Sequence, residues 1–183
     1  IARVCREEGI DVGRFTIVHE PNEMQAVYKA VALVNEGAAQ IVMKGLCSTD
    51  KYMKGLLDKE RGLMDPGAVL SHVTVIENPH YHKLIICADV AVLPAPELKE
   101  KIAIINYMVA VAKALGIDRP KVAVIAATEQ MSYKMPACVD AAILSKMAER
   151  GQIMGCIVDG PQAIDVAVDR ESAETKGVTN EVA

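Results

Sequence analysis

The strongest constraint on the fold is an alternation in the second half of the chain. Residues 121–127 and 153–158 are short, almost continuously apolar runs. Each follows a longer helix-periodic segment that stops at a glycine: residues 97–115 before Gly116, and residues 137–150 before Gly151. Successive strand side chains point to opposite faces, so a strand that is apolar throughout must be covered on both sides. Helix–strand–helix–strand order with covered strands gives an α/β layered fold with a mostly parallel sheet. A further helix is expected to start at Gly160-Pro161, because proline suits a first helical turn.

Composition fits that reading. Apolar residues are 51% of the 183, aromatics only 3%, and Trp is absent, so Val, Ile, Leu, Met and Ala must fill the core. Net charge is −4 with a pI near 5.6, which argues against a nucleic-acid or membrane-surface partner. An anionic ligand would need a local positive site. No apolar run approaches the roughly 20 residues that span a bilayer, and no stretch reads as a signal peptide. Residue 1 is Ile rather than Met, so a start that is cleaved or trimmed is expected, and the expected location is cytoplasmic. The five cysteines are odd in number and form no CxxC pair. They read as small core residues of a reducing compartment, with Cys47 set apart because it adjoins a candidate ligand loop.

The first half is less regular. Residues 1–9 read as the end of a helix stopped by Gly9, residues 15–19 as a short strand, and residues 21–36 as a helix ended by Gly37. Residues 40–43 read as a brief buried strand, leading through a turn into a helix over residues 50–59. Two β-rich runs, 69–77 and 83–88, flank Asn78-Pro79-His80-Tyr81-His82 and predict an antiparallel hairpin-like pair. Leu93-Pro94-Ala95-Pro96 is a stiff connector that blocks helix, and it places a domain junction there, with residues 1–93 in a first lobe and 94–183 in a second. Both ends of the chain read as cut from something larger.

Ligands in open parallel sheets collect where strands end and helices begin. Three places qualify. In Lys44-Gly45-Leu46-Cys47-Ser48-Thr49, a Lys and a Gly lead to two hydroxyls at a helix start, where free N–H groups attract phosphate. The GxxxxGK[ST] spacing of a Walker loop is absent, and an ordinary cap with a surface Lys explains the same residues. In Val158-Asp159-Gly160-Pro161, Asp159 orients a ligand group, acts as a base, or caps the next helix; Asp165 follows six residues on, and a paired-carboxylate role stays open. Ser71-His72 lies within an expected strand, where neighbours face opposite ways, so it is no catalytic dyad by itself and a lone strand His is usually structural. Lys134-Met135 precedes a helix and places one cation near the cleft. His80 and His82 share one side of a turn without a third ligand, so no metal site is expected.

Taken in order, several runs resemble the phosphate acetyltransferase and phosphate butyryltransferase family, closest to its butyryl branch. They are Val42-Met43-Lys44-Gly45-Leu46, Val69-Leu70-Ser71-His72-Val73, Lys121-Val122-Ala123-Val124, Lys134-Met135-Pro136-Ala137 and the long run KMAERGQIMGCIVDGP from Lys146 to Pro161. The resemblance implies a three-layer α/β/α fold similar to isocitrate and isopropylmalate dehydrogenases, with two lobes around a cleft, usually as a homodimer. It implies reversible transfer of a short acyl group between coenzyme A and inorganic phosphate, giving acyl phosphate, with coenzyme A as substrate and no bound cofactor.

By the same resemblance Lys44, Gly45, Ser48 and Thr49 face phosphate, Ser71 and His72 the acyl and phosphate side, and Asp159, Gly160 and Pro161 the cleft wall; Lys134 and Met135 join the substrate-binding set. The family's Ser-Arg pair and nearby Asp have no counterpart here, since Ser172 in Arg170-Glu171-Ser172 does not match it. A strand and helix of the family also lie upstream of Ile1. The 183 residues are therefore expected to be inactive alone. Two other readings remain. One is a metal-dependent dehydrogenase of the same fold, which lacks its aspartate cluster and GxGxxG here. The other is a non-catalytic acyl-CoA- or phosphate-binding module.

Overall fold

The computed structural model describes residues 1–182. The chain divides into two compact units, Ile1–Ala68 and a second beginning at Val69.

The first unit is helical. Its elements are α1 (Ala2–Glu7), a 3-10 turn (Val12–Arg14), α2 (Glu23–Asn35) and α3 (Thr49–Leu56). The caps are side-chain oxygens that satisfy otherwise orphaned N–H groups. Asn22 accepts from the Gln25 N–H at 3.1 Å, and Ser48 accepts from the Lys51 N–H at 3.4 Å. α2 and α3 pack so closely that a Cβ on Gly55 would stand 2.3 Å from Val27 Cγ1. The strands expected at residues 15–19 and 40–43 do not form. Both stretches have no ladder among the described residues, and Ile41 and Met43 are 80% and 88% exposed. β-rich composition favours a half-buried surface, but a strand exists only when another backbone pairs with it.

The second unit carries the layered part. β1 (Thr74–Ile76) and β2 (Ile85–Cys87) pair antiparallel, with Thr74 opposite Cys87 and Ile76 opposite Ile85, as the hairpin-like reading expects but with only three residues each. Then follow α4 (Leu98–Ala114), β3 (Lys121–Ile125), α5 (Pro136–Glu149), β4 (Ile157–Gln162), α6 (Ile164–Val168) and α7 (Arg170–Thr175). β3 and β4 are parallel and α5 is their crossover, the unit that the sequence alternation requires. Ile105 and Val109 of α4, Val122 of β3, Leu144 of α5, and Ile153 and Val158 form the buried cluster. Lys101 of α4 and Asp140 of α5 form an ion pair at 2.5 Å beside it. The arrangement is mixed α/β, with one antiparallel and one parallel pair among the described residues.

β4 departs from expectation at both ends. Residues 153–156 precede the strand, and the strand runs on through Gly160-Pro161 instead of breaking into a helix there. The register explains this. Ala123 pairs with Asp159 but Ile125 pairs with Gln162, so β4 holds one more residue than β3 across this step. Such a bulge is one of the few places where a sheet accepts proline, and glycine commonly marks it. Gly160 is required there by space, because a Cβ would lie 2.6 Å from the Val124 carbonyl oxygen and 3.2 Å from Ala141 Cβ. Gly160→Ala should therefore destabilise the protein by about 1–3 kcal/mol through overpacking. Chemical denaturation should show the loss as a lower midpoint, and an unchanged midpoint would contradict this packing.

Candidate functional site

Ser71 and His72 lie just before β1, outside its ladder. Continuing the β1–β2 register by two residues sets His72 opposite Asp89, just past β2. Here the ladder gives way to a side-chain clasp. Asp89 Oδ2 accepts from Ser71 Oγ at 2.9 Å and from the His72 N–H at 3.0 Å, and Oδ1 accepts from the Ala91 and Val92 N–H groups, both at 2.8 Å. Partial burial pushes the Asp89 carboxyl up, but these four hydrogen bonds outweigh it and hold the group well below the usual carboxylate range. The Tyr107 hydroxyl of α4 donates to the Val69 carbonyl at 2.9 Å and anchors the same segment.

Ser71 and His72 do not bond to each other. The His72 ring lies against Thr74, with Nδ1 3.1 Å from Oγ1, as strand alternation places residues two apart on one face.

Asp159 and Gly160 are half-buried within β4. Asp159 lines a groove of about 410 Å³ together with Arg119, Ser145, Glu149, Cys156 and Asn180. Asp159 does not cap a helix, since α6 starts five residues later with Ala163 at its cap. Asp165 does not pair with it either. Lys176 Nζ instead bridges Asp165 at 2.9 Å and Glu129 at 2.8 Å, joining the loop after β3 to the helix after β4. Its hydrogen bonds, aided by its charge, hold both carboxyls below their usual range, and the same bonds raise the lysine.

Lys134 and Met135 lie in the loop that leaves the carboxyl end of β3. Met135 is the cap residue of α5, its sulfur 3.4 Å from the Cys138 thiol, and Lys134 stands exposed above the Tyr133 ring.

In the first unit, the 44–49 turn takes the expected course. Ser48 is the cap of α3 and Thr49 its first residue. Lys44 Nζ has its own neighbour's Gly45 carbonyl as partner, at 3.4 Å. Lys51 in the first turn is held by Glu23, which leaves Lys44 as the loop's uncommitted cation. A Cβ on Gly45 would meet nothing within 4 Å, so neither packing nor a left-handed backbone requires glycine there. The described residues contain no group of three or more His, Cys, Asp or Glu gathered as for a metal ion.

Residues 2–183 match the model of the family described as phosphate acetyl/butaryl transferase. The chain belongs to that family. Relatives agree over its whole length. It is 51% identical to the phosphate butyryltransferase of Clostridium acetobutylicum, covering 100% of this chain and 60% of the relative. It is 38% identical to the phosphate acetyltransferase of Rhizobium meliloti, covering 100% of this chain and 58% of the relative. Among solved structures, a branched-chain phosphotransacylase from Enterococcus faecalis V583 superposes with a TM-score of 0.80 at 32% identity, over 90% of this chain and 58% of that one. The chain thus spans about 60% of the curated relatives it matches.

Family membership accords with the runs Val42–Leu46, Val69–Val73 and Lys146–Pro161, which carried the resemblance. Sequence reasoning missed Asp89, Glu129 and Lys176. Asp89 had a usable signal, because an acidic residue directly ends the apolar run Ile85-Ile86-Cys87-Ala88. The Lys176 bridge had none, since its partners are 47 and 11 residues away.

The depressed Asp89 carboxyl sets a direction for acid stability. A group held below its unfolded value near 3.8 contributes fully above that value, and the contribution fades as pH falls toward the folded one. The gap in unfolding midpoint between wild type and Asp89→Asn should be widest above about pH 5 and should close toward about pH 2. Thermal melts across that range check it, and a gap independent of pH would exclude the ionised clasp.

Proposed function

We propose that the protein is a phosphate acyltransferase that converts a short-chain acyl-CoA, butyryl-CoA or similar, and inorganic phosphate to acyl phosphate and coenzyme A. The observation that carries this reading is the match of residues 2–183 to one family, with a 51% identical relative named for butyryl transfer. The names of the relatives divide between butyryl and acetyl transfer, so acyl length is the open variable within one reaction.

The chemistry is compact. A phosphate oxygen attacks the acyl carbonyl carbon, the C–S bond breaks, and coenzyme A leaves as thiolate, which takes up a proton. The protein must hold two anionic partners together, stabilise the oxyanion and favour the thiolate. Lys44 with the N–H groups that open α3, framed by Gly45, Ser48 and Thr49, supplies a positive seat for a phosphoryl group. Asp50 in the first turn of α3 opposes an anion there, which makes Lys44 the deciding charge. Lys134, with Met135 at its side, offers a second cation where β3 ends. Ser71 and His72 take the acyl side, and Asp159, with Gly160 and Pro161, forms a wall of the cleft and orients a ligand or accepts a proton. Coenzyme A is a substrate in this scheme, and no resident cofactor or metal takes part.

The finer architecture belongs to the same proposal. It comprises a three-layer α/β/α arrangement of the isocitrate and isopropylmalate dehydrogenase kind, lobes meeting near Leu93-Pro94, and a homo-oligomer. No helix among the described residues is long and apolar enough to cross a membrane, and a cytoplasmic site suits substrates made inside the cell.

Initial rates of phosphate-dependent thiol release from acetyl-, propionyl- and butyryl-CoA test the reading on the full-length protein. Turnover with at least one is expected, whereas none with all three would refute it. Lys44→Ala should raise the KM for phosphate about 10-fold, the effect of losing one hydrogen bond to a charged group. An unchanged KM would return the turn to an ordinary helix cap.

A further inference from the structure

We propose that Asp89 is a positioning residue that accepts the hydrogen bond of the Ser71 hydroxyl, so that Ser71 meets coenzyme A as a hydrogen-bond acceptor for an amide N–H of its pantetheine arm and does not act as a nucleophile. The inference deepens the acyltransfer reading and rests on it.

A serine hydroxyl has one proton and two lone pairs. The Ser71 proton is directed at Asp89 Oδ2, 2.9 Å away, so only lone pairs remain to face a ligand. Asp89 is fixed in that role. Its two oxygens accept three backbone N–H groups besides the hydroxyl, from His72 before β1 and from Ala91 and Val92 after β2. A carboxylate stabilised by four donors is a weak base and does not strip the hydroxyl of its proton, so Ser71 lacks the activation a nucleophilic serine needs. His72 does not supply it either, because its ring nitrogen turns to Thr74.

The same geometry selects the ligand. Phosphate near neutral pH carries negative oxygens that seek donors. Ser71 offers lone pairs beside a full negative charge, and that charge repels a phosphate anion even where the phosphate keeps a P–OH donor. A neutral N–H donor gains from the lone pairs and the charge together. Coenzyme A carries two amide N–H groups on the arm that ends in its thiol, and phosphate carries none. The Ser71 side of the site therefore faces the coenzyme.

The test uses the full-length protein. Ser71→Ala and Asp89→Asn should each raise the KM for the coenzyme about 10-fold, with kcat within about 3-fold and the KM for phosphate unchanged. Ser71→Thr, which keeps the hydroxyl, should recover part of the coenzyme KM lost in Ser71→Ala. A coenzyme A analogue with an ester oxygen in place of the contacted amide N–H should lose about 10-fold against wild type and nothing further against Ser71→Ala. That loss decides the matter even if Asp89→Asn fails to fold. A collapse of kcat in Ser71→Ala at constant KM, a rise confined to the KM for phosphate, or equal losses with the analogue in both proteins would each overturn the proposal. Wild-type turnover is a separate arm. If wild type shows none, the acyltransfer reading fails on its own, and calorimetric binding of coenzyme A to wild type and Ser71→Ala then decides, with equal affinity or no binding counting against the inference.

Discussion

The parallel pairing of β3 with β4 under α4 and α5 is the constraint on which the second unit rests. β3 is apolar from Val122 to Ile125, and Ile157 and Val158 open β4, so the pair is stable only with cover. Leu144 and Ala141 of α5 are almost wholly buried, as are Ile105 and Ala112 of α4. This packing fixes where the strands end, and the loops that could meet a ligand follow from there. Gly160 shows how tight the arrangement is. The extra residue in β4 carries the backbone so close to Val124 and Ala141 that no side chain fits.

Charge is arranged locally within a chain of net charge −4. Several lysines and arginines are committed to carboxylates nearby, including Lys51 to Glu23, Lys101 to Asp140 and Lys176 to Glu129 and Asp165. Exposed pairs of this kind contribute little stability, with a median near about 0–1 kcal/mol, so their main effect is to remove cations from the pool that could meet an anion. Lys44 and Lys134 are among the cations with no carboxylate partner, and both stand in turns that open helices.

The helices were legible in the sequence because their signals are local. Asn22, Ser48, Glu97 and Pro136 stand at or beside helix starts, and Gly37, Gly116 and Gly151 follow helix ends within one or two residues. Strand β3 was legible because five consecutive residues demand cover. The strands at residues 15–19 and 40–43 were misread because β-rich composition says nothing about whether a pairing backbone is at hand. β4 was displaced by several residues for a related reason: Gly-Pro marks a helix start in isolation but a bulge when a neighbouring strand is present, and only the register with β3 separates the two. The site divides in the same way. Lys44, Ser48 and Ser71 announce themselves by type and position, while the hold of Asp89 on Ser71 depends on a turn of the chain 18 residues later.

That hold also separates the roles of the acidic residues. Asp89 is saturated by four donors and stays ionised, which suits a group that fixes geometry and unsuits one that must exchange protons during turnover. Asp165 and Glu129 share one lysine and serve as a strap between the loop after β3 and the helix after β4. Asp159 differs from all three. Its carboxylate has no hydrogen-bond or ion-pair partner among the described residues, and it opens on the groove beside β4. Of the acidic residues considered for the site, Asp159 is therefore the one that no donor among the described residues holds in place.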